Sequence, residues 1–102
     1  MRSLSEFYDE CRDLGVVTSQ KAFSRLWGKQ PSWFSSTQAR RRVPTTESLV
    51  TFVLRLDKIA KATQEELRTA NDMDEREALI DGLAEVSKMR AEIWEEIVSR
   101  AN

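Results

Sequence analysis

Between Ser19 and Thr45 the chain carries six basic side chains, Lys21, Arg25, Lys29, Arg40, Arg41 and Arg42, and no carboxylate, although its formal net charge is −1. The chemistry open to such a set is recognition of a polyanion, because cationic side chains neutralise phosphates and release their condensed counterions. An arginine triplet alone also fits a solvated loop; here it lies in a window cleared of acids, which favours phosphate contact. Covalent chemistry finds little support. There is no histidine, a single cysteine and no Gly-rich phosphate loop, so the usual nucleophile–base pairs and zinc-ligand patterns are missing. The expectation is a protein that is not an enzyme and holds no metal or cofactor. Cys11 falls on the apolar face of a helix and reads as a core residue.

Charge divides the sequence. Residues 1–62 hold eleven Lys/Arg against six Asp/Glu, and residues 63–102 hold five against eleven. A basic surface recruits a polyanion and an acidic helix repels one, so the halves read as having two jobs. At 102 residues the chain suits one small domain with an appended helix. With 40% hydrophobic and 32% charged residues, three Gly and two Pro, it should be folded and helix-rich. No apolar run is long enough for a signal core or a bilayer span, so the expected location is cytoplasmic, with no membrane partner; nucleoid association is expected only through the basic window.

The elements that must position the basic window follow from spacing. Leu4, Phe7, Tyr8, Cys11 and Leu14 recur at helical intervals, Ser3 and Glu6 form a capping box, and Gly15 supplies a left-handed stop. Thr18 or Ser19 caps a short second helix with Phe23, Leu26 and Trp27 on one face, ended by Gly28. Pro31 suits the first turn of a third helix, at about residues 31–40, carrying Trp33 and Phe34, with Pro44 at the exit. A fourth helix starts at a Thr45 or Thr46 cap and runs through Leu49, Phe52, Val53, Leu56 and Ile59 to about Ala70. Asn71 is placed as a left-handed cap, and Asp72 or Asp74 opens a last helix. Leu79, Leu83, Val86, Ile93 and Ile97 then form a seam close to a coiled-coil repeat. No strand signal appears.

Two short helices joined by a tight turn and flanked by further helices make a helix-turn-helix arrangement, whose second helix enters the DNA major groove. Ser24 is small where the pair must approach closely, Gly28 sits in the turn, and Phe34 anchors the third helix. The intervals from Gln20 to Ser24, Gly28, Phe34 and Pro44, with "PTTESLVTFVLRL" following, resemble the lambda-repressor-like, or XRE/Cro-type, family over about residues 18–56. Residue identity departs from the family's pattern at Lys29, Thr37, Arg40 and Thr46; Arg40 stands where that family often has Gly.

The resemblance implies an all-α fold, a four- to five-helix lambda-repressor-like domain over residues 1–70; residues 71–102, outside the resemblance, read from their charge and seam as an acidic C-terminal helix for dimerisation or partner docking. It implies a sequence-specific, double-stranded-DNA-binding transcriptional regulator, a small dimeric repressor or autoregulator. Carried over by position, Gln30, Pro31, Ser32, Ser35 and Ser36 would face the bases, and Gln20 would touch phosphate at its helix N-terminus. Lys21, Arg25, Lys29, Arg40, Arg41 and Arg42 are the basic phosphate candidates. Trp27 and Phe34 fit the core better than a stacking platform for bases; Trp33 fits either.

The last helix has three readings: docking on its own domain, capture of another protein as in antitoxins or adaptors, or pairing with a second copy. Pairing is preferred, with Leu79, Leu83, Val86, Ile93, Trp94 and Ile97 as the homodimer interface.

Overall fold

The computed structural model describes all residues from Met1 to Asn102 as five α-helices with no strand. They are α1 (Leu4–Asp13), α2 (Gln20–Leu26), α3 (Trp33–Ala39), α4 (Thr46–Thr69) and α5 (Met73–Ala101). Local sequence sets most of their ends. Ser3 accepts from the Glu6 N–H while the Glu6 carboxylate accepts from the Ser3 N–H, so the capping box of α1 is complete. Ser19 caps α2 through the Ala22 N–H, Thr45 caps α4 through Ser48, and Asp72 caps α5 through Glu75. Each satisfies a donor that the first helical turn leaves without a partner.

Three helices end alike. After α1 and α2 the chain turns through Gly15 and Gly28, both at φ 74°, and the following N–H groups bond back to Cys11 and Ser24. After α3 the same turn is made by Arg41 at φ 52°, with Arg41 N–H on the Gln38 carbonyl and Arg42 N–H on Thr37. This pattern of reversed bonds closes a helix with a left-handed residue.

The core is one cluster. Phe7, Tyr8 and Cys11 of α1, Phe23 of α2, Phe34 of α3 and Leu49, Phe52 and Leu56 of α4 are buried together. Trp27, at the end of α2, stacks on Phe52 with ring centres 4.1 Å apart. Val86, Met89 and Ile93 of α5 complete the same cluster, and the Cys11 and Met89 sulfurs lie 3.9 Å apart.

The C-terminal helix therefore folds back on its own chain. It runs antiparallel to α4, tied by Arg90 to Asp57 at 2.7 Å and by Arg100 to the Pro44 carbonyl at 2.8 Å. Arg2 bridges Glu10 on α1 and Glu92 on α5. Two expectations change. The helix expected as an appendage beyond residue 70 belongs to the one folding unit, because side chains from both sides of that border share one core. Val86 and Ile93 are not available to a second copy: they are 4% and 0% exposed within the monomer.

Two boundaries also differ from expectation. The Trp33 N–H bonds to the Gln30 carbonyl at 2.9 Å, so Pro31 and Ser32 form a turn and α3 starts at Trp33. Asn71 is not left-handed; α4 ends in extended backbone at Ala70, and Arg76 of α5 reaches back to the Leu67 and Ala70 carbonyls. That cation satisfies the free carbonyls of α4 in place of a capping residue.

Burial pushes the Cys11 thiol up from 9.0 to about 12, with the Glu10 charge adding to the effect. Because the folded state disfavours the thiolate, this group's contribution to stability is intact below pH 9 and is lost as pH rises from there towards 12. The loss should reach about 1.4 kcal/mol per pH unit. Urea unfolding of wild type and Cys11→Ala at several pH values checks this: the gap between them should narrow above pH 9.

Candidate nucleic-acid interface

The geometry of α2 and α3 is set by two small residues. Ser24 is fully buried, and its hydroxyl accepts the Phe34 N–H at 2.9 Å, which ties the middle of α2 to the first turn of α3. Gly28 serves both backbone and space: a Cβ there would meet Thr51 Cγ2 of α4 at 3.0 Å. A larger side chain at either position would push α2, α3 and α4 apart.

With Phe34 and Thr37 turned inward, α3 and the turn residue before it expose Ser32, Ser35, Ser36 and Ala39 on the opposite side. Their spacing places them on one helix face, and none carries a charge. Ser35 Oγ donates to the Ser32 carbonyl at 3.1 Å, which leaves its oxygen free to accept. A shallow depression gathers Gln20 and Lys21 from the start of α2 with Pro31, Ser32 and Ser35. A second, on the other flank of α3, gathers Lys29, Ser36, Arg40 and Arg42. Gln30 is exposed in the turn between α2 and α3, and Arg25 is exposed on α2.

All six basic side chains of this region lack a carboxylate partner within salt-bridge distance. Arg12, Arg55, Lys58, Lys61 and Arg76 elsewhere also lack one, whereas Arg68, Lys88, Arg90 and Arg100 each have one and Arg2 has two; what sets this region apart is that its six cations share a window with no acid at all. Cations left unpaired around an uncharged polar strip keep their full field for an incoming polyanion.

The left-handed conformation of Arg41 is energetically costly. A left-handed L-residue costs roughly 1–2 kcal/mol, and glycine at this place would avoid most of it. Arg41→Gly is accordingly expected to raise stability by about 1 kcal/mol, read by denaturant unfolding, while removing one exposed cation. If that cation meets phosphate, affinity for duplex DNA falls about fivefold at moderate salt. A rise in stability with unchanged affinity would show that Arg41 touches nothing.

The sequence matches the model of a family of unknown function, DUF6626, over residues 4–102. The chain belongs to that family. No curated protein and no solved structure matches it. The match to DUF6626 covers all five helices, so α5 is part of the family's unit along with α1 to α4.

Within this DUF6626 chain the aromatic alternatives separate. Trp27 and Phe34 are buried, at 0% and 1% exposure, and cannot serve as platforms for stacked bases. Trp33 is half-buried, its ring 5.5 Å from that of Trp27, and it lines the depression with Lys29, Arg40 and Arg42.

Of the residues expected to form a dimer seam, Val86 and Ile93 lie in the core, and Leu79, Leu83 and Ile97 are half-buried. Trp94 alone of that set faces outward, 48% exposed. Gln38 is not singled out by the sequence pattern. It is exposed on α3, three residues after Ser35, and lines a groove with Arg41, Arg42 and Arg100. Its one-turn spacing from Ser35 was the available signal. No helix is long and apolar enough to cross a membrane.

Proposed function

We propose that this chain is a sequence-specific double-stranded-DNA-binding regulator that presents α3 to the major groove. On this reading α2 and α3 act as a helix-turn-helix pair of the lambda-repressor-like type. One observation carries the reading: an exposed uncharged polar face, Ser32, Ser35 and Ser36, flanked on both sides by unpaired cations. Cations that grip phosphates fix register and orientation, and neutral hydroxyl and amide groups between them read base edges. Gln30 and Gln38 suit bidentate contact with adenine, which a serine hydroxyl cannot make. The N-terminus of α2, with Gln20 and Lys21, would meet the backbone of one strand, and Arg40, Arg41 and Arg42 the other.

Salt dependence of binding tests the electrostatic part. With about six phosphates engaged, log affinity for a duplex should fall with log salt at a slope of roughly −5. A slope near zero, or no binding at low salt, would remove the proposal. The reading part is tested by Ser32→Ala combined with Ser36→Ala, which should change the preferred sequence while the unfolding midpoint stays put. A second reading, a protein-interaction module of adaptor or antitoxin type, draws on the exposed apolar side chains Ile80, Trp94 and Val98 of α5. It gives no reason for six cations and no acid between Ser19 and Thr45.

A further inference from the structure

Helix α5 bears two apolar seams. The inner one, through Val86 and Ile93, is taken up by the chain's own core. The outer one runs through Ala84, Ser87, Ala91, Trp94, Val98 and Ala101, every side chain exposed. Spacings of three and four alternate without a break, the beat of a coiled-coil seam, and Ile80 continues it four residues earlier. No charged residue interrupts the strip, although twelve of the 29 residues in α5 are charged. Neutrality on one face of so charged a helix is not needed by the monomer, whose core lies on another face.

The strip is widened by α4. Leu54 and Val50, 57% and 39% exposed, lie one and two turns before Asp57. Trp94 and Val98, 48% and 42% exposed, lie one and two turns after Arg90. Since Asp57 and Arg90 are paired across antiparallel helices, both sets extend in the same direction from that ion pair. The Arg90 guanidinium also lies over the Trp94 ring, 5.9 Å from its centre, which holds the indole in place.

We propose that this outer seam binds the same seam of a second copy, antiparallel, about a two-fold axis crossing α5 at the level of Glu92 and Ile93. Size and charge both select that arrangement. In this register Trp94 faces the second copy's Ala91, Val98 faces its Ser87, and Ala101 faces its Ala84. Every layer sets a large side chain on a small one or two small ones together, so the helices approach to about 8 Å. Lys88, which lies 3.4 Å from Glu85 of its own helix in an exposed pair, and Glu95 line one edge of the strip, and the two-fold brings Lys88 of each copy beside Glu95 of the other. Shifting the axis to the level of Met89 would put Lys88 beside Lys88 and Asp81 beside Glu95, like against like. A parallel pair would force Trp94 against Trp94 in a single layer. The overlap, residues 83–102, spans about 30 Å of helix.

This interface gives the proposed DNA reader a second headpiece, but it stands on the α5 surface and needs no DNA. The two readings can therefore fail separately. The test is sedimentation equilibrium of the full chain without DNA, starting from a monomer mass of 11.8 kDa. The expected result is twice that mass, reduced to the monomer mass in Trp94→Glu with the helical circular dichroism unchanged. The dissociation constant of that variant should rise on the order of 100-fold. Lys88→Glu and Glu95→Lys should each weaken the dimer about tenfold, and their combination should restore it. Ala91→Glu serves as a second disrupting variant should Trp94→Glu perturb the fold. A wild-type monomer throughout the concentration range, a dimer indifferent to both disrupting variants, or a double charge reversal weaker than each single one would overturn the proposal.

Discussion

Replacing Arg40, Arg41 and Arg42 together by alanine is expected to weaken binding to every duplex alike, by on the order of 100-fold at about 0.15 M salt. The three side chains follow α3 directly, are exposed and have no carboxylate partner. Each phosphate neutralised contributes a slope of about −0.9, so the salt dependence should become shallower by about 2.7 at the same time. Affinity and slope must move together, because both come from the same released counterions. Specific and random duplexes should lose equally, since phosphate contacts carry no sequence information. Fluorescence anisotropy with one selected and one scrambled duplex, at several salt concentrations, reads all three quantities. A loss confined to the specific duplex would mean that an arginine reads bases. An unchanged slope would show the triplet to be a solvated loop.

Trp27→Ala is expected to have the largest effect on stability, a loss of about 3–5 kcal/mol. Its indole is fully buried, stacked on Phe52 at 4.1 Å and edge-on to Phe23 at 6.0 Å, with Trp33 at 5.5 Å. Removing it empties the junction of α2, α3 and α4, beside the Gly28 turn that orients α3. Against a total stability of about 5–15 kcal/mol, such a loss leaves a marginal fold. The melting temperature should drop by roughly 15 °C or more. Any DNA affinity lost by this variant should be regained by cooling, because the defect lies in the population of folded protein. A variant that kept its melting temperature yet lost affinity would contradict the buried position of the ring. Trp33→Ala, at a half-buried site, should cost less stability.

The parts of the fold legible in the sequence are those set by neighbours in the chain. Ser3 with Glu6, Ser19, Thr45 and the glycines at 15 and 28 act over a few residues, and each does so where expected. Arg41 was illegible for the converse reason. Its position is one that glycine fills at low cost, and only the backbone reveals that an arginine occupies it. The Asn71 expectation failed because a cation from the next helix, Arg76, does the work that a left-handed cap would have done.

The two seams of α5 show the deeper limit. Periodicity identifies Leu79, Leu83, Val86, Ile93 and Ile97 as a face to be covered, but the pattern is the same whether α4 or a second copy covers it. Ala84, Ser87 and Ala91 carry little hydrophobic signal, so the outer strip becomes visible only once the inner one is known to be occupied. In the candidate site, the basic window and the serines of α3 were legible from residue type and spacing. The link between Ser24 Oγ and the Phe34 N–H was not, because small size alone explains a serine at a close helix crossing.

The central claim, that α3 reads duplex DNA, is tested most directly by selecting bound sequences from a random duplex library with the purified chain at two salt concentrations. The expected result is enrichment of a defined motif that survives the higher salt, and loss of that motif in the Ser32→Ala, Ser36→Ala variant. Retention of DNA with no motif at either salt concentration, or no retention even at the lower one, would contradict it.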